Sequence, residues 1–339
     1  MKHRLLAAAV VLGMVLVCCG CVPKEIPVTQ PETAVSVSKP ETETVPDTES
    51  NAFRVGISLQ DESPFVIRVS KRLQSLLNEE DLGIEYVIYN AQRNANAQVS
   101  HVQSFISNEF DLVLLDPISY EDCAPAVDML QEAGIPLIVF VTDVYNPGNY
   151  GYKVGSSHYE SGVIEAQMAA DALHGKGKIV VLEGVMGISA QYERYRGYRD
   201  VLKNYPDMEI VAEQTAAWQK DEAYLIVQNW IRNKEFDLVL SENDNMALGA
   251  VEAVYEAGKE DEILVYGVDG DINMLYSVRN ARADGTVYHD AIGQAEVLYE
   301  YIKDIMQGIT PPEKEYRIPF EPVTIENVDS YIQVMEQYS

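Results

Sequence analysis

The sequence predicts an α/β protein built as two doubly wound parallel-sheet lobes. Three observations predict it. Short runs rich in Val, Ile and Leu alternate with longer stretches whose apolar residues recur at helical spacing, the pattern of parallel strands covered by helices. That alternation occurs twice, in two runs of about 100 residues each, the size of ordinary domains. The chain has 339 residues, enough for two buried cores.

In chain order, Phe53 to Leu59 is the first strand, followed by a helix with Val69, Leu73, Leu76 and Leu77 on one face. Ile84 to Tyr89 is the next strand, and Val99, Val102, Phe105 and Ile106 mark the next helix. Leu112 to Leu115, a helix over Ala126 to Ala133, and a strand from Ile135 to Val141 complete the first run. The second run reads as a strand at Lys178 to Leu182, a helix from Glu193 to Lys203 and a strand at Ile210 to Ala212. It continues with a helix over Tyr224 to Ile231, a strand at Leu238 to Leu240, a helix from Met246 to Ala257 and a strand at Ile263 to Tyr266.

The amino terminus has a different character. Lys2, His3 and Arg4 precede an apolar run from Leu5 to Val17, shorter than the roughly 20 residues that span a bilayer. Residues 1–21 read as a signal peptide that ends in cysteines. Residues 22–51 are dominated by Pro, Thr, Ser, Val and Glu, contain no aromatic residue and show no period, so they read as a disordered tether. Cys18, Cys19 and Cys21 fall in the leader and leave Cys123 alone beyond it, without an internal disulfide partner. Beyond the leader, neither a CxxC pair nor paired histidine spacing suggests a metal, and no cofactor motif is present. The net charge of −28 repels nucleic acid, so no nucleic-acid partner is expected.

In open parallel sheets, ligands sit beyond the carboxyl ends of the strands. Ser63-Pro64-Phe65, Asp116-Pro117, Asn243-Asp244, Asp269-Gly270 and Tyr288-His289 all fall there, from both runs. A cleft between two lobes would gather them.

These segments also carry a family resemblance. Ser63-Pro64-Phe65, Asp116-Pro117, Ala133-Gly134-Ile135-Pro136, Ser189-Ala190 with Glu193-Arg194 and Gly197-Tyr198, Asn243 to Ala250, Gly267 to Gly270, and Glu326 to Asp329 occur in the order seen in periplasmic sugar-binding proteins of the ribose/galactose type. From about Ala52 to the end, the chain resembles these receptors of ABC importers, which have the type I periplasmic-binding-protein fold. The resemblance implies a first lobe of 52–155 plus 290–318 and a second of 156–289 plus 319–339. Three hinge crossings would join them, near Gly155 to Ser157, Tyr288 to Asp290 and Ile318 to Glu321. Leu16 to Cys21 resembles a bacterial lipobox, with Cys21 as the lipidated residue and Cys19 as the alternative; an ordinary secretory signal is the other reading.

The resemblance also implies ligand contacts. Phe65 matches an aromatic that stacks on a sugar face, Trp218 a second aromatic wall, and Asp116 a polar group that meets hydroxyls. Arg194 matches a guanidinium that bridges adjacent oxygens, Asn243 and Asp269 match a polar pair at second-lobe strand ends, and His289 stands where relatives often carry Gln. Ser63 is a further contact, and Asp143 stands in for an Asp-Arg or Asn-Arg pair that this chain lacks after Ile135-Pro136. Val66 and Val268 replace aromatics frequent in relatives. Such residues suit a ligand with apolar C–H faces and a polar rim. Read without the family, Asp116 and Asp244 could equally be helix caps, Trp218 core, and Arg194 a surface charge beside Arg196 and Arg199.

The expectation is therefore a monomeric, non-enzymatic receptor outside the cytoplasm, tied to the membrane by an N-terminal lipidated cysteine. It would bind a small-molecule sugar or polyol between its lobes and deliver it to an ABC permease. A sensory sugar- or autoinducer-binding protein reporting to a membrane receptor or kinase is the alternative.

Overall fold

The computed structural model describes residues 52–79, 82–145 and 151–338. The leader, its cysteines and the tether lie outside the described residues. The first run of elements is β1 (Phe53–Leu59), α1 (Pro64–Glu79), β2 (Ile84–Asn90), α2 (Ala95–Ser107), β3 (Leu112–Leu115), α3 (Ala124–Ala133), β4 (Leu137–Val141) and β5 (Tyr152–Gly155). The second is α4 (His158–Ala172), β6 (Lys176–Glu183), α5 (Ser189–Leu202), β7 (Asp207–Thr215), α6 (Lys220–Asn233), β8 (Leu238–Ser241), α7 (Asp244–Glu256), β9 (Leu264–Asp269), α8 (Ile272–Arg279) and β10 (Gly285–His289). The chain ends with α9 (Ala291–Met306), β11 (Glu315–Arg317), β12 (Phe320–Val323) and α10 (Val328–Gln337).

The strands form two six-stranded sheets with the same winding, β2-β1-β3-β4-β5-β11 and β7-β6-β8-β9-β10-β12. All neighbours pair in parallel except β10 and β12, which are antiparallel. β3, β4 and β8 are buried along their whole length, which is why they read as unbroken apolar runs. β2 alternates between half-buried and exposed residues, as an edge strand does. Strand β4 begins two residues later than the expected Ile135. Gly134 ends α3 in the left-handed region at φ 70°, and Pro136 has no N–H to give a ladder.

Three crossings join the lobes. The chain leaves the first sheet after β5, returns after β10 so that α9 packs on α1, and crosses again between β11 and β12. The crossings are tied side by side: Ile318 N–H donates to Gly155 O (2.8 Å), and the Gln294 amide on α9 donates to Val154 O (2.9 Å). His158, His289 and Phe320, one from each crossing, form an aromatic cluster, with the His289 and Phe320 rings 4.4 Å apart and His158 6.1 Å from His289.

In the second lobe, α4 and α5 cross at glycines. A Cβ at Gly162 would lie 2.1 Å from Arg194 O, and one at Gly197 would lie 2.6 Å from Tyr159 O. Only glycine allows the two backbones so close.

The core of α4 holds Glu165, whose carboxylate accepts from Tyr198 OH (2.5 Å) and Ser241 N–H (3.0 Å). Burial pushes its carboxyl up to about 8 from an ordinary 4.5. The folded protein thus keeps a proton that the unfolded chain releases. Glu165's contribution is full below about pH 4.5 and is lost as the pH rises through about 8. Glu165→Gln cannot ionise and is expected to lose less thermal stability than the wild type between about pH 5 and about pH 9. Parallel melting-temperature profiles for the two proteins would contradict this assignment.

Candidate ligand-binding site

The tips of β1, β4, β8, β9 and β10 point into one cleft between the lobes. Its inner part is lined from the first lobe by Gln60, Asp61, Ser63, Phe65, Val66, Val141 and Thr142. Ile188, Ala190, Arg194, Trp218, Asn243 and Asp269 line it from the second, with His158 and His289 at the crossings. The lobes meet around it. Arg68 pairs with Asp271, Arg93 donates to Ala217 O (2.9 Å), Tyr120 N–H donates to Gly187 O (3.2 Å), and Asp143 N–H donates to Ser189 Oγ (2.8 Å).

Arg194 sits on α5 yet is buried, so it is not the surface charge that Arg196 and Arg199 are. Its Nε donates to Ser161 Oγ (3.2 Å), one terminal nitrogen donates to Glu242 O, and the other lies 3.6 Å from Asp269 Oδ1. The fork is thereby held in one orientation. Asp269 ends β9 with φ 130°, a conformation that side chains other than glycine rarely adopt. Burial raises its carboxyl above the ordinary range, and Arg194 and Arg68 pull it back down. Asn243 is the N-cap of α7: its Oδ1 accepts from Met246 N–H (2.9 Å), which leaves the amide nitrogen to offer a ligand.

Trp218 belongs both to the core and to the cavity wall. It follows Ala217 in a left-handed pair, φ 50° and 63°, and its ring fills the space over Gly184, where a Cβ would fall 1.9 Å from the indole. Phe65 opens the opposite side at the start of α1. One face of its ring is covered by His289, stacked at 3.8 Å and 9°. Both imidazoles are buried. Burial drives His289 well below its ordinary value and His158 down to about 3, so both are neutral at pH 7. His158 Nε2 bonds to Val141 O (2.8 Å), whereas His158 Nδ1 and both nitrogens of His289 have no partner among the described residues. Both residues line the cavity, so a ligand's hydroxyls could supply the partners these buried nitrogens lack.

Seven residues singled out in the sequence, Ser63, Phe65, Arg194, Trp218, Asn243, Asp269 and His289, come together in this wall. Asp116 and Asp143 do not. Asp116 is fully buried behind it, where it accepts from the Gln60 amide (3.2 Å) and Thr142 Oγ1 (2.9 Å), because those side chains lie between it and the cavity. Asp143 turns away to pair with Lys153. Gln60 and His158 were not anticipated, whereas Thr142 was expected to shape the pocket. Gln60 and Thr142 directly follow strands β1 and β4, a positional signal that was available, but His158 opens a helix with little apolar periodicity.

Comparison with known proteins decides the family. Residues 56–310 match the model of the periplasmic binding protein domain. The chain belongs to that family. Among its relatives, the xylitol-binding protein of Mycolicibacterium smegmatis is 33% identical over 239 residues, covering 70% of this chain and 67% of that protein. A putative rhizopine-binding protein of Rhizobium meliloti is 30% identical, covering 74% and 82%. A solved ABC transporter solute-binding protein from Bacillus halodurans, with bound myo-inositol, superimposes with a TM-score of 0.81 at 27% identity, covering 84% of this chain and 98% of that one. These members of the periplasmic binding protein family are named for binding, not for catalysis. Among the described residues, no group of His, Cys, Asp or Glu is placed to hold a metal, and no helix is long and apolar enough to cross a membrane. Cys123 is buried, its Sγ against Gln98 Oε1 (3.0 Å), and burial pushes its thiol up to about 11, far from a reactive thiolate.

Proposed function

We propose that this chain is the extracytoplasmic receptor of an ABC importer and binds an uncharged sugar or polyol in the interlobe cleft. The observation that carries this reading is the composition of one cavity wall drawn from both lobes: Phe65 and Trp218 for C–H faces, and Arg194, Asn243, Asp269, His158 and His289 for hydroxyls. The charges there are balanced, Arg194 against Asp269 and Arg93 against Asp61, which favours a neutral ligand over a sugar phosphate or sugar acid. The xylitol- and myo-inositol-binding relatives support the same class. Asp116 acts from behind, holding Gln60 and Thr142 in position.

Ligand touches both lobes only when they meet, so binding shifts the population toward closure. Hinging would occur at the three crossings, with lobes of 52–155 plus 290–318 and 156–289 plus 319–339. Lipidation at Cys21, or at Cys19, would hold the receptor at the membrane beside its permease. A thermal-shift panel of xylitol, myo-inositol and ribose, with a sugar phosphate as the charged comparison, tests the reading. A neutral polyol is expected to raise the melting temperature. A shift with the phosphate alone, or with none of them, overturns it. Uptake of a radiolabelled hit by cells with and without the gene separates import from sensing.

A further inference from the structure

The two sides of the cavity differ in how many polar groups they have left to give. On the first lobe, most polar side chains are spent on the protein itself. Thr142 Oγ1 donates to Asp116 Oδ1 (2.9 Å) with Pro117 O at 2.6 Å, the Gln60 amide nitrogen donates to Asp116, and the Asp61 carboxylate accepts from Arg93 (3.0 Å) and Ser63 N–H (2.9 Å). Gln60 Oε1 is the buried oxygen on that side left without a partner among the described residues. What the first lobe chiefly presents is one apolar surface, Phe65, Val66 and Val141, which pack in a single cluster. Beside Gln60 Oε1 and the Ser63 hydroxyl on the first lobe, the polar groups facing the cavity belong to the second lobe (Arg194, Asn243 and Asp269) and to the crossings (His158 and His289).

Val141 holds its place against its own backbone preference. Its φ is 60°, and Thr142 N–H donates back to Phe140 O (2.7 Å), closing a three-residue turn around it. A β-branched residue is among the worst choices for that conformation, whereas Gly, Asn or Asp adopts it with less strain. Strain kept in a cavity wall points to a side chain that the site uses.

We propose that Val141 is a specificity-determining residue, forming with Phe65 and Val66 an apolar corner that receives an unhydroxylated edge of the ligand, a methyl or deoxy carbon. This rests on the reading of the cleft as a polyol site. The ligand's hydroxyls would face Arg194, Asp269, Asn243 and the two imidazoles, and its methyl-bearing edge would face the first lobe. A hydroxyl forced into the corner would lose its water without gaining a partner.

Calorimetric titration with matched pairs tests it: L-fucose against L-galactose, L-rhamnose against L-mannose, and D-pinitol against D-chiro-inositol. In the wild type, the methyl-bearing member of at least one pair is expected to bind about tenfold or more tightly. Val141→Thr keeps the branched shape while replacing a methyl with a hydroxyl, and is expected to remove most of that preference. Val141→Asn, suited to the turn, is expected to reverse it, with circular dichroism confirming that each variant is folded. Equal or tighter binding of the hydroxylated member in every pair, or an unchanged ratio in folded Val141→Thr, overturns the proposal. If none of these probes binds but xylitol, myo-inositol or ribose does, the corner is wrong and the polyol reading stands. If nothing binds, both fall.

Discussion

Replacing Asp269 with alanine is expected to weaken polyol binding by about a hundredfold or more, measured by titration calorimetry. The carboxylate is nearly buried at the tip of β9, within 3.6 Å of the Arg194 guanidinium. It is a charged acceptor that water cannot replace once the lobes meet. Its removal also leaves Arg194 with an uncompensated buried charge, so both halves of the polar clamp are damaged. Asp269→Asn keeps the shape and one acceptor and is expected to fall between the wild type and the alanine variant. Affinity within about threefold of the wild type for Asp269→Ala would exclude the residue from the site.

The second large effect is expected from Gly162→Ala, in which a single methyl would act through the helix packing. A Cβ at this position would stand 2.1 Å from Arg194 O, so α4 and α5 must separate. Overpacking of this kind costs about 1–3 kcal/mol and lowers the melting temperature by roughly 2–12 °C in a domain of this size. The contact is with the backbone of the residue that supplies the guanidinium, so affinity is expected to fall along with stability. Differential scanning calorimetry and a binding titration on the same preparation check both effects. A protein with unchanged melting temperature and affinity would mean that the helices have room that the structure does not show.

The parts of the fold legible in the sequence were those under the strongest burial. β3, β4 and β8, covered on both faces, are apolar but for Ser241 at the tip of β8 and so announce themselves. Helix α4 did not, because its buried face mixes the small residues Ser161, Gly162, Ala166, Ala169 and Ala170 with polar His158 and Glu165 and so carries no apolar stripe. The short strands β5, β11 and β12 owe their pairing to the crossings, a long-range cause that no local window contains.

At the site, strand-tip position and family resemblance together picked out the polar residues of the second lobe. They could not show that Asp116 would be screened by Thr142 and Gln60, since that depends on which of several neighbouring side chains reaches furthest. The positive φ of Val141 and Trp218, and the φ of 130° at Asp269, well outside the left-handed well that Asp favours, were equally invisible. Three such residues in one cavity wall fit a site whose geometry is over-determined by its surroundings.

The proposed receptor role requires that ligand be held in this one cavity. Diffraction from crystals grown with the tightest-binding polyol tests it most directly. The predicted result is a ligand between Phe65 and Trp218, with its hydroxyls within hydrogen-bonding distance of Asp269 and Arg194. A ligand seated elsewhere, or one that leaves those two side chains untouched, would contradict it.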